Sequence, residues 1–211
     1  MPAPPIIREL VEQFERNIDS YRSLTYNEAN VRQQFIDPFF EALGWDVYNK
    51  KRLSEKYKEV VVEDSIRVQG RSKAPDYAFR LGGLRLFFVE AKKPAVNLKN
   101  DARPAYQLRL YAWNKELPIS ILTDFEEFSV YDCRYKPSPK DKAGIARTMY
   151  LHYTEYERRW DELVKLFSPE GIQKGYLDKY VEKAPRGTER VDDAFLAQME
   201  VWREHLARNI A

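Results

Sequence analysis

Cysteine and histidine are scarce in this chain of 211 residues. Cys133 is the single cysteine, which excludes an internal disulfide, a cysteine-rich zinc site and a four-cysteine iron–sulfur cluster. The two histidines, His152 and His205, are 53 positions apart, so mechanisms that need clustered imidazoles have little support. We therefore expect any catalysis to depend on carboxylates, lysine and tyrosine.

Long apolar runs and nucleotide-binding loops are also absent from the sequence. No run approaches the ~18 to 20 apolar residues of a membrane-spanning helix, and the first residues lack the charged and apolar regions of a signal peptide. The chain has neither the Gly-x-x-x-x-Gly-Lys-Ser/Thr loop of nucleotide-driven motors nor the Gly-x-Gly-x-x-Gly turn of dinucleotide enzymes. These absences predict a cytoplasmic protein without a membrane partner and outside those two enzyme classes.

The composition is that of a folded protein. Hydrophobic residues make up 44% of the chain and aromatic residues 14%, which is enough for a sizeable core in one or two domains. The net charge of +2 is too small to indicate nucleic-acid binding unless the basic residues are clustered.

The first part of the chain predicts two helices. Apolar residues at helical spacing predict a helix over about residues 5 to 22. A second helix is expected to begin at Thr25, whose spacing to Glu28 fits a capping box, and to stop at Gly44. Pro38 is expected to break or kink it.

The centre of the chain predicts a β-hairpin. Strands over 77–81 and 84–91 are joined by Gly82-Gly83, and the second strand is apolar on both faces, as a central strand would be. A short strand over 60–62 and a loop over 67–73 are predicted before it.

Helix and strand patterns alternate after the hairpin. A helix over about 102–116, capped by Asn100 or Asp101, is followed by strands over 119–123 and 128–131. This order predicts an α/β fold.

The last part of the chain is predicted to be helical. Helical patterns begin near residue 154, and a long amphipathic pattern continues to Ile210. We expect one domain over 1–150 and a helical extension over 151–211 that leads towards further domains.

Three ionisable side chains are predicted to meet at the strand ends of the hairpin. Asp76 precedes the first strand, and Glu90 and Lys92 end the second, where alternation places them on one face. Charges beside so apolar a strand are tolerated when they pair or bind a metal. Two carboxylates that hold Mg²⁺ beside a lysine suit phosphodiester hydrolysis; an ordinary surface ion pair is the alternative.

The register of the hairpin decides whether this site can form. A regular hairpin with a two-residue turn pairs Leu81 with Leu84 and places Asp76 opposite Val89, on the other face from Glu90. A functional site therefore requires a three-residue loop with Gly83 in the left-handed conformation, or a β-bulge.

Two motifs resemble those of a known nuclease superfamily. Pro75-Asp76, thirteen intervening residues and Glu90-Ala91-Lys92 resemble the PD-(D/E)xK motif, and Gln107 to Tyr111 resembles the Gln-x-x-x-Tyr element that follows it. The flanking segments 27–32, 42–45, 105–113 and 122–128 resemble the amino-terminal nuclease domain of type IIG restriction enzymes, with type I restriction subunits as more distant relatives. The resemblance covers about residues 5 to 135.

The resemblance implies a fold, a substrate and a site. The fold is restriction-endonuclease-like, with a central mixed sheet flanked by helices; the substrate is double-stranded DNA; the cofactor is Mg²⁺, with Mn²⁺ as a substitute. Linked methyltransferase and target-recognition domains are implied as well. The implied catalytic residues are Asp76, Glu90, Lys92, Gln107 and Tyr111. The implied metal-binding residues are Asp76, Glu90, Ala91 and Glu28.

Several assignments keep an alternative. The capping box explains Glu28 without any metal. Gln107 and Tyr111 share a helix face, and packing on the sheet would also account for them. Arg32 and Gln34 are expected to be helix-surface residues.

Basic residues are clustered around the proposed site. Between Ile66 and Arg103 there are nine basic and three acidic residues, within a chain whose net charge is +2. These residues would form a basic rim around the site that suits contacts with a phosphate backbone, although an ordinary solvated surface is the alternative. The expected DNA-binding residues are Arg71, Lys73, Lys93, Lys99 and Arg103.

Three functions are compatible with these patterns. The preferred one is a magnesium-dependent DNA endonuclease domain of a restriction-modification enzyme. A RecB-like nuclease that processes DNA ends shares the Gln-x-x-x-Tyr element, and a catalytically silent DNA-binding or assembly module is the third. Cleavage of closed circular DNA distinguishes the first two.

Overall fold

The computed structural model describes residues 2–68 and 70–183, which form an α/β fold. The strands in these residues are β1 (Val60–Val62), β2 (Ile66–Val68), β3 (Arg71–Lys73), β4 (Tyr77–Leu81), β5 (Leu84–Ala91), β6 (Ile119–Thr123), β7 (Glu127–Asp132) and β8 (Arg147–His152). Six of them form a mixed sheet in the order β1-β4-β5-β6-β7-β8, and β2 and β3 form a separate hairpin.

Helices flank the sheet. They are α1 (Pro5–Arg16), α2 (Ile18–Tyr21), α3 (Glu28–Val31), a π-helical turn (Arg32–Ile36), α4 (Asp37–Ala42), α5 (Ala102–Trp113), a 3₁₀ turn (Tyr153–Glu155), α6 (Tyr156–Phe167), α7 (Pro169–Gln173) and α8 (Tyr176–Lys183). The predicted fold class, with a central mixed sheet flanked by helices, is confirmed. Within the described residues, no helix has the length and apolar character needed to cross a membrane.

The pairing of β5 with β6 decides where polar side chains gather. These two strands are parallel and connected through α5, whereas the other pairs of the sheet are antiparallel. The carboxyl-terminal ends of β5 and β6, the beginnings of β4 and β7 and the end of β8 therefore lie along one edge of the sheet. We call this edge the site edge.

Both faces of the sheet are buried, which explains the continuous apolar run of β5. Phe87 lies in the larger core with residues of α1, α4 and α6, such as Phe14, Phe40 and Trp160. Phe88 lies in the second core, beneath α5. Successive side chains of a strand point to opposite faces, so two adjacent phenylalanines serve two cores.

Three local predictions are wrong. Asn27, whose side chain accepts a hydrogen bond from the Asn30 amide, caps α3 in place of the predicted Thr25 capping box. The predicted loop over 67–73 is the hairpin of β2 and β3, with Ile66 and Val68 buried in the second core. Strand β8 was missing from the predicted pattern.

Pro38 interrupts its helical segment without ending it. The π-helical turn immediately precedes α4, in which Pro38 occupies the first turn. The helical backbone continues from the π-helical turn into α4, and the Asp37 amide still donates to the Arg32 carbonyl, so Pro38 removes one backbone donor without ending the segment.

The hairpin of β4 and β5 has a two-residue turn together with a β-bulge. Gly82 and Gly83 both have positive φ, at 58° and 84°, as a two-residue hairpin turn requires. Arg80 pairs with Arg85 but Phe79 pairs with Phe87, so Leu86 is left unpaired. The expected three-residue loop is wrong, and the alternative expectation of a bulge is confirmed.

The described residues after β8 are helical and pack on the larger core. Ser168 caps α7 through a hydrogen bond from the Gly171 amide. Trp160 and Phe167 are buried against the sheet. The domain boundary near residue 150 stays a prediction, and the amphipathic pattern that continues to Ile210 lies outside the described residues.

Candidate active site

The bulge brings Asp76 and Glu90 to the same face of the sheet. Beyond the bulge, Ala78 pairs with Phe88 and Tyr77 pairs with Val89. Continuing the ladder by one pair places Asp76 opposite Glu90, on the face that α5 covers. Asp76 Oδ2 accepts a hydrogen bond of 2.8 Å from the Ala91 amide, which ties the carboxylate to the end of β5.

Glu90 is held by two donors and retains one oxygen without a partner. Its Oε1 accepts hydrogen bonds of 2.9 Å from Lys92 Nζ and 2.9 Å from Gln107 Nε2. Its Oε2 is buried and has no hydrogen-bond partner. Glu90 is 4% exposed, so the alternative of an ordinary surface ion pair does not hold.

The pKa values of Glu90 and Lys92 are shifted in the directions expected at a site that binds a cation. Burial raises the pKa of Glu90 to about 7, although the nearby Lys92 opposes the shift. Burial lowers the pKa of Lys92, but the surrounding carboxylates, Glu90 foremost, outweigh it and the pKa is above its usual value. Lys92 is therefore an ammonium at neutral pH, whereas Glu90 takes up a proton readily when no other cation is present.

Glu28 and Arg32 reach the site from the helical segment on the opposite side. Glu28 Oε1 lies 3.6 Å from Lys92 Nζ, and Arg32 Nη1 lies 3.3 Å from Asp76 Oδ1. Glu28 is the first residue of α3, so it has no capping-box role. The expectation that Arg32 is a surface residue is wrong, since its side chain is 18% exposed. Its spacing of four residues from Glu28 was the available sequence signal.

Tyr111 and Ala91 lie beside this group. Tyr111 is buried in the second core, one helical turn beyond Gln107, and burial raises its pKa. The backbone carbonyl of Ala91 accepts a hydrogen bond of 2.8 Å from Lys92 Nζ. All of the predicted catalytic and metal-binding residues are thus near the site edge, although their roles stay predictions.

Comparisons with known proteins find restriction enzymes. The family model of the type I restriction enzyme R protein N terminus matches residues 57–139, which contain the hairpin and α5. A curated relative, the type II restriction enzyme and methyltransferase RM.Eco57I of Escherichia coli, is 36% identical over 205 residues. The chain is similar to the type I restriction enzyme R protein N terminus over residues 57–139 and to part of a type II restriction enzyme and methyltransferase. The resemblance inferred from the two motifs is therefore confirmed.

The extent of these matches is uneven. The alignment with the relative covers 95% of this chain and 20% of the relative, so the chain spans about a fifth of the relative's length. No solved structure matches the chain at a significant level.

The predicted DNA-binding residues lie in two places. Arg71 and Lys73 belong to β3, and Lys73 is exposed. Lys93, Lys99 and Arg103 lie in or directly after the connection from β5 to α5, with Arg103 paired to its neighbour Asp101 at 2.9 Å. Lys99 and Arg103 are exposed, and Lys93 is half-buried.

Glu127 at the start of β7 holds this connection against the sheet. Its carboxylate accepts hydrogen bonds from the Leu98 amide at 2.7 Å and the Lys99 amide at 3.2 Å. The hydroxyl of Tyr150 donates to the same carboxylate. Glu127 is 8% exposed, so one buried acid orients the backbone that carries the basic rim.

Arg147 and Tyr150 extend the rim and were missed in the sequence. The Tyr150 ring lies 5.4 Å from Lys99 Nζ and 5.1 Å from Arg147 Cζ. Arg147 Nη1 also donates to the Lys99 carbonyl at 3.2 Å. The alternation of buried Met149 and Leu151 with polar neighbours was the signal for β8 that carries them.

The donor set fits a magnesium ion that has few protein ligands. Within the described residues, no three His, Cys, Asp or Glu side chains converge as a cluster that could hold a metal. Asp76 and Glu90 nevertheless supply hard carboxylate oxygens, and the unpartnered Glu90 Oε2 is a buried acceptor that needs a cation or a donor. Mg²⁺ is commonly held by one or two carboxylates and otherwise keeps its water.

Proposed function

We propose that this chain is the DNA-cleaving domain of a restriction-modification enzyme, which hydrolyses phosphodiesters of double-stranded DNA with Mg²⁺ or Mn²⁺. The observation that carries the proposal is the buried Glu90, with one oxygen unpartnered, beside Asp76 and the ammonium of Lys92. The family match, which names restriction enzymes, supports it.

The residues of the site divide the work in this proposal. Asp76, Glu90 and the Ala91 carbonyl would hold the cation, and Gln107 orients Glu90 through its hydrogen bond. The chemistry that a bound Mg²⁺ supplies is activation of water and neutralisation of phosphate charge. Because Lys92 stays protonated at neutral pH, it acts through hydrogen bonds and charge on the phosphate and the attacking water, and it does not act as a base.

DNA would reach this site over the basic rim. Lys99 and Arg147 flank Tyr150 on the face that carries Glu90, which suits contacts with a phosphate backbone. Such contacts position DNA without reading its sequence. We therefore propose that sequence recognition depends on further linked domains. The relative's name includes a methyltransferase, and we propose that a methyltransferase domain is linked to this chain as well.

Plasmid cleavage tests the proposal. We expect the full chain to nick closed circular DNA with Mg²⁺, and Asp76→Asn, Glu90→Gln and Lys92→Met each to lose about 100-fold or more in rate. Glu162→Gln, in a partly exposed ion pair with Arg159 on α6, is the matched control and keeps full activity. A fully active Glu90→Gln variant would contradict the assignment, and cleavage confined to linear ends would favour an end-processing nuclease.

A further inference from the structure

Arg32 and Glu28 form a pair of charges that mirrors the pair on the sheet. The two residues are four positions apart, and Glu28 faces Lys92 while Arg32 faces Asp76. Arg32 also opens the π-helical turn, a conformation that occurs frequently at functional sites. One helical segment therefore places a cation against Asp76, opposite the strand that places a cation against Glu90.

The guanidinium of Arg32 is firmly placed. Its Nη1 lies 3.7 Å from Glu63 Oε1, and its Cζ lies 4.9 Å from the centre of the Tyr77 ring. The Tyr77 hydroxyl donates in turn to Asp37 at 2.6 Å, which fixes the ring beneath the guanidinium. A half-buried arginine between two acids and an aromatic face does not leave its place readily.

The charges around Arg32 are not balanced. Four carboxylates face two cations in this group. The carboxylates belong to Glu28, Glu63, Asp76 and Glu90, and the cations belong to Arg32 and Lys92. A divalent ion would balance the charges of the group. If it bound at Asp76, however, it would share that carboxylate with the guanidinium of Arg32, and two positive groups on one carboxylate repel each other.

We propose that Arg32 is the resident counter-cation of the metal site: it neutralises Asp76 in the metal-free protein and weakens the binding of a divalent cation. This inference rests on the proposed metal site. When Arg32 is replaced, the Ala91 amide still holds Asp76 Oδ2. The loss of repulsion between the guanidinium and the divalent ion therefore outweighs any loss in the orientation of the Asp76 carboxylate. A residue with a merely structural role would leave the affinity unchanged or lower it.

Calcium binding to the full chain, measured by calorimetry without DNA, tests the inference. We expect Arg32→Met and Arg32→Gln to bind Ca²⁺ about tenfold more tightly or better, and Arg32→Lys to remain within about twofold of the unchanged protein because it keeps the charge. Arg85→Met is the matched control, since Arg85 pairs with Asp64 at the turn end of the hairpin, and its affinity stays unchanged.

The possible results separate this inference from the proposed function. If the unchanged chain binds Ca²⁺ and neither neutral variant of Arg32 binds it more tightly, the counter-cation role is wrong and the metal site stands. If neither the unchanged chain nor these variants bind Ca²⁺, both are wrong. Asp76→Asn, which removes the shared carboxylate charge, is expected to lose binding in either background.

Discussion

Asp76 and Glu90 come together at the site edge because Leu86 adds one unpaired residue to β5 and shifts its pairing with β4. With all residues of a regular ladder paired, Asp76 would face Val89 and its carboxylate would point to the larger core side of the sheet. The extra residue shifts the pairing by one on the site side of the bulge. Convergence of the two carboxylates is thus decided at a position four residues away from Glu90.

Deletion of Leu86 is expected to leave the site intact. Without that residue, Arg80 with Arg85 and Phe79 with Phe87 become consecutive pairs of a regular hairpin, so the pairing near Asp76 is unchanged. We expect a lower melting temperature from the lost apolar packing, with Ca²⁺ affinity and the cross-strand Phe79–Phe87 contacts in NMR spectra retained. Loss of Ca²⁺ binding by a folded deletion variant would contradict this account.

Gln107 and Tyr111 are expected to differ in importance. Gln107 donates directly to Glu90 Oε1, whereas Tyr111 is buried in the second core with its hydroxyl next to Gln107. Gln107→Leu should weaken Ca²⁺ binding about tenfold, the equivalent of one hydrogen bond to a charged group, and Tyr111→Phe should change it little. Calorimetry on both variants decides, and equal effects would show that Tyr111 acts directly on the site.

Glu90 is expected to make the stability of the metal-free protein depend on pH. Its pKa is about 7 in the folded state and near 4.5 when unfolded, so between these values the folded state holds a proton that the unfolded state has lost. The free energy of unfolding therefore falls as the pH rises from about 4.5 to about 7, by on the order of 3 kcal/mol from this group. Glu90→Gln should lack this part of the decrease.

Urea unfolding at several pH values in the presence of a chelator measures the effect. Equal pH dependence in the unchanged chain and in Glu90→Gln would argue against a protonated Glu90 in the folded state. Added Ca²⁺ should stabilise the unchanged chain most at high pH, where the carboxylate is ionised in both states.

Glu127 is expected to stabilise the connection that carries the basic rim. In the unchanged chain the backbone amides of Leu98 and Lys99 share the two carboxylate oxygens of Glu127. Glu127→Gln replaces one of these oxygens with a side-chain NH₂ group, so one of the two backbone amides loses its acceptor. We expect a loss of about 1 to 3 kcal/mol in urea unfolding and faster hydrogen exchange at these two amides. Glu162→Gln should cost less, about 0.5 kcal/mol, because its pair with Arg159 is partly exposed to solvent.

Lys99 and Arg147 are expected to contact DNA phosphates. The double substitution Lys99→Ala with Arg147→Ala should weaken binding equally for different DNA sequences and reduce the slope of log affinity against log salt by about two. Lys50→Ala with Arg158→Ala removes the same charge in the α4–β1 connection and in α6, away from the face of α5, and should leave the slope unchanged. Equal slopes for both double variants would contradict the proposed path of DNA.

Much of the fold follows from local patterns. The strands at 77–81 and 84–91 and the helix capped by Asp101 were predictable, because apolar alternation, a Gly-Gly turn and an Asp cap are short-range signals. The hairpin of β2 and β3 was not, because Ile66 and Val68 are strand residues through their packing beneath α5.

Most residues of the site were also predictable from local sequence patterns, but one was not. Asp76, Glu90, Lys92 and Gln107 stand out in the sequence as a motif with its spacing. Arg32 does not, because its contact with Asp76 joins residues 44 positions apart, and a helical periodicity alone leaves it on the surface.

The sequence by itself determined the central order of β4, β5, α5, β6 and β7 and the identity of the carboxylates, because these depend on neighbours along the chain. Tertiary structure alone decided the remaining features: the bulge at Leu86 in place of a longer turn, the burial that raises the pKa of Glu90, and the approach of Arg32. Each of these depends on how two faces of a sheet are filled by distant segments, and free energies of packing and desolvation are properties of the assembled core.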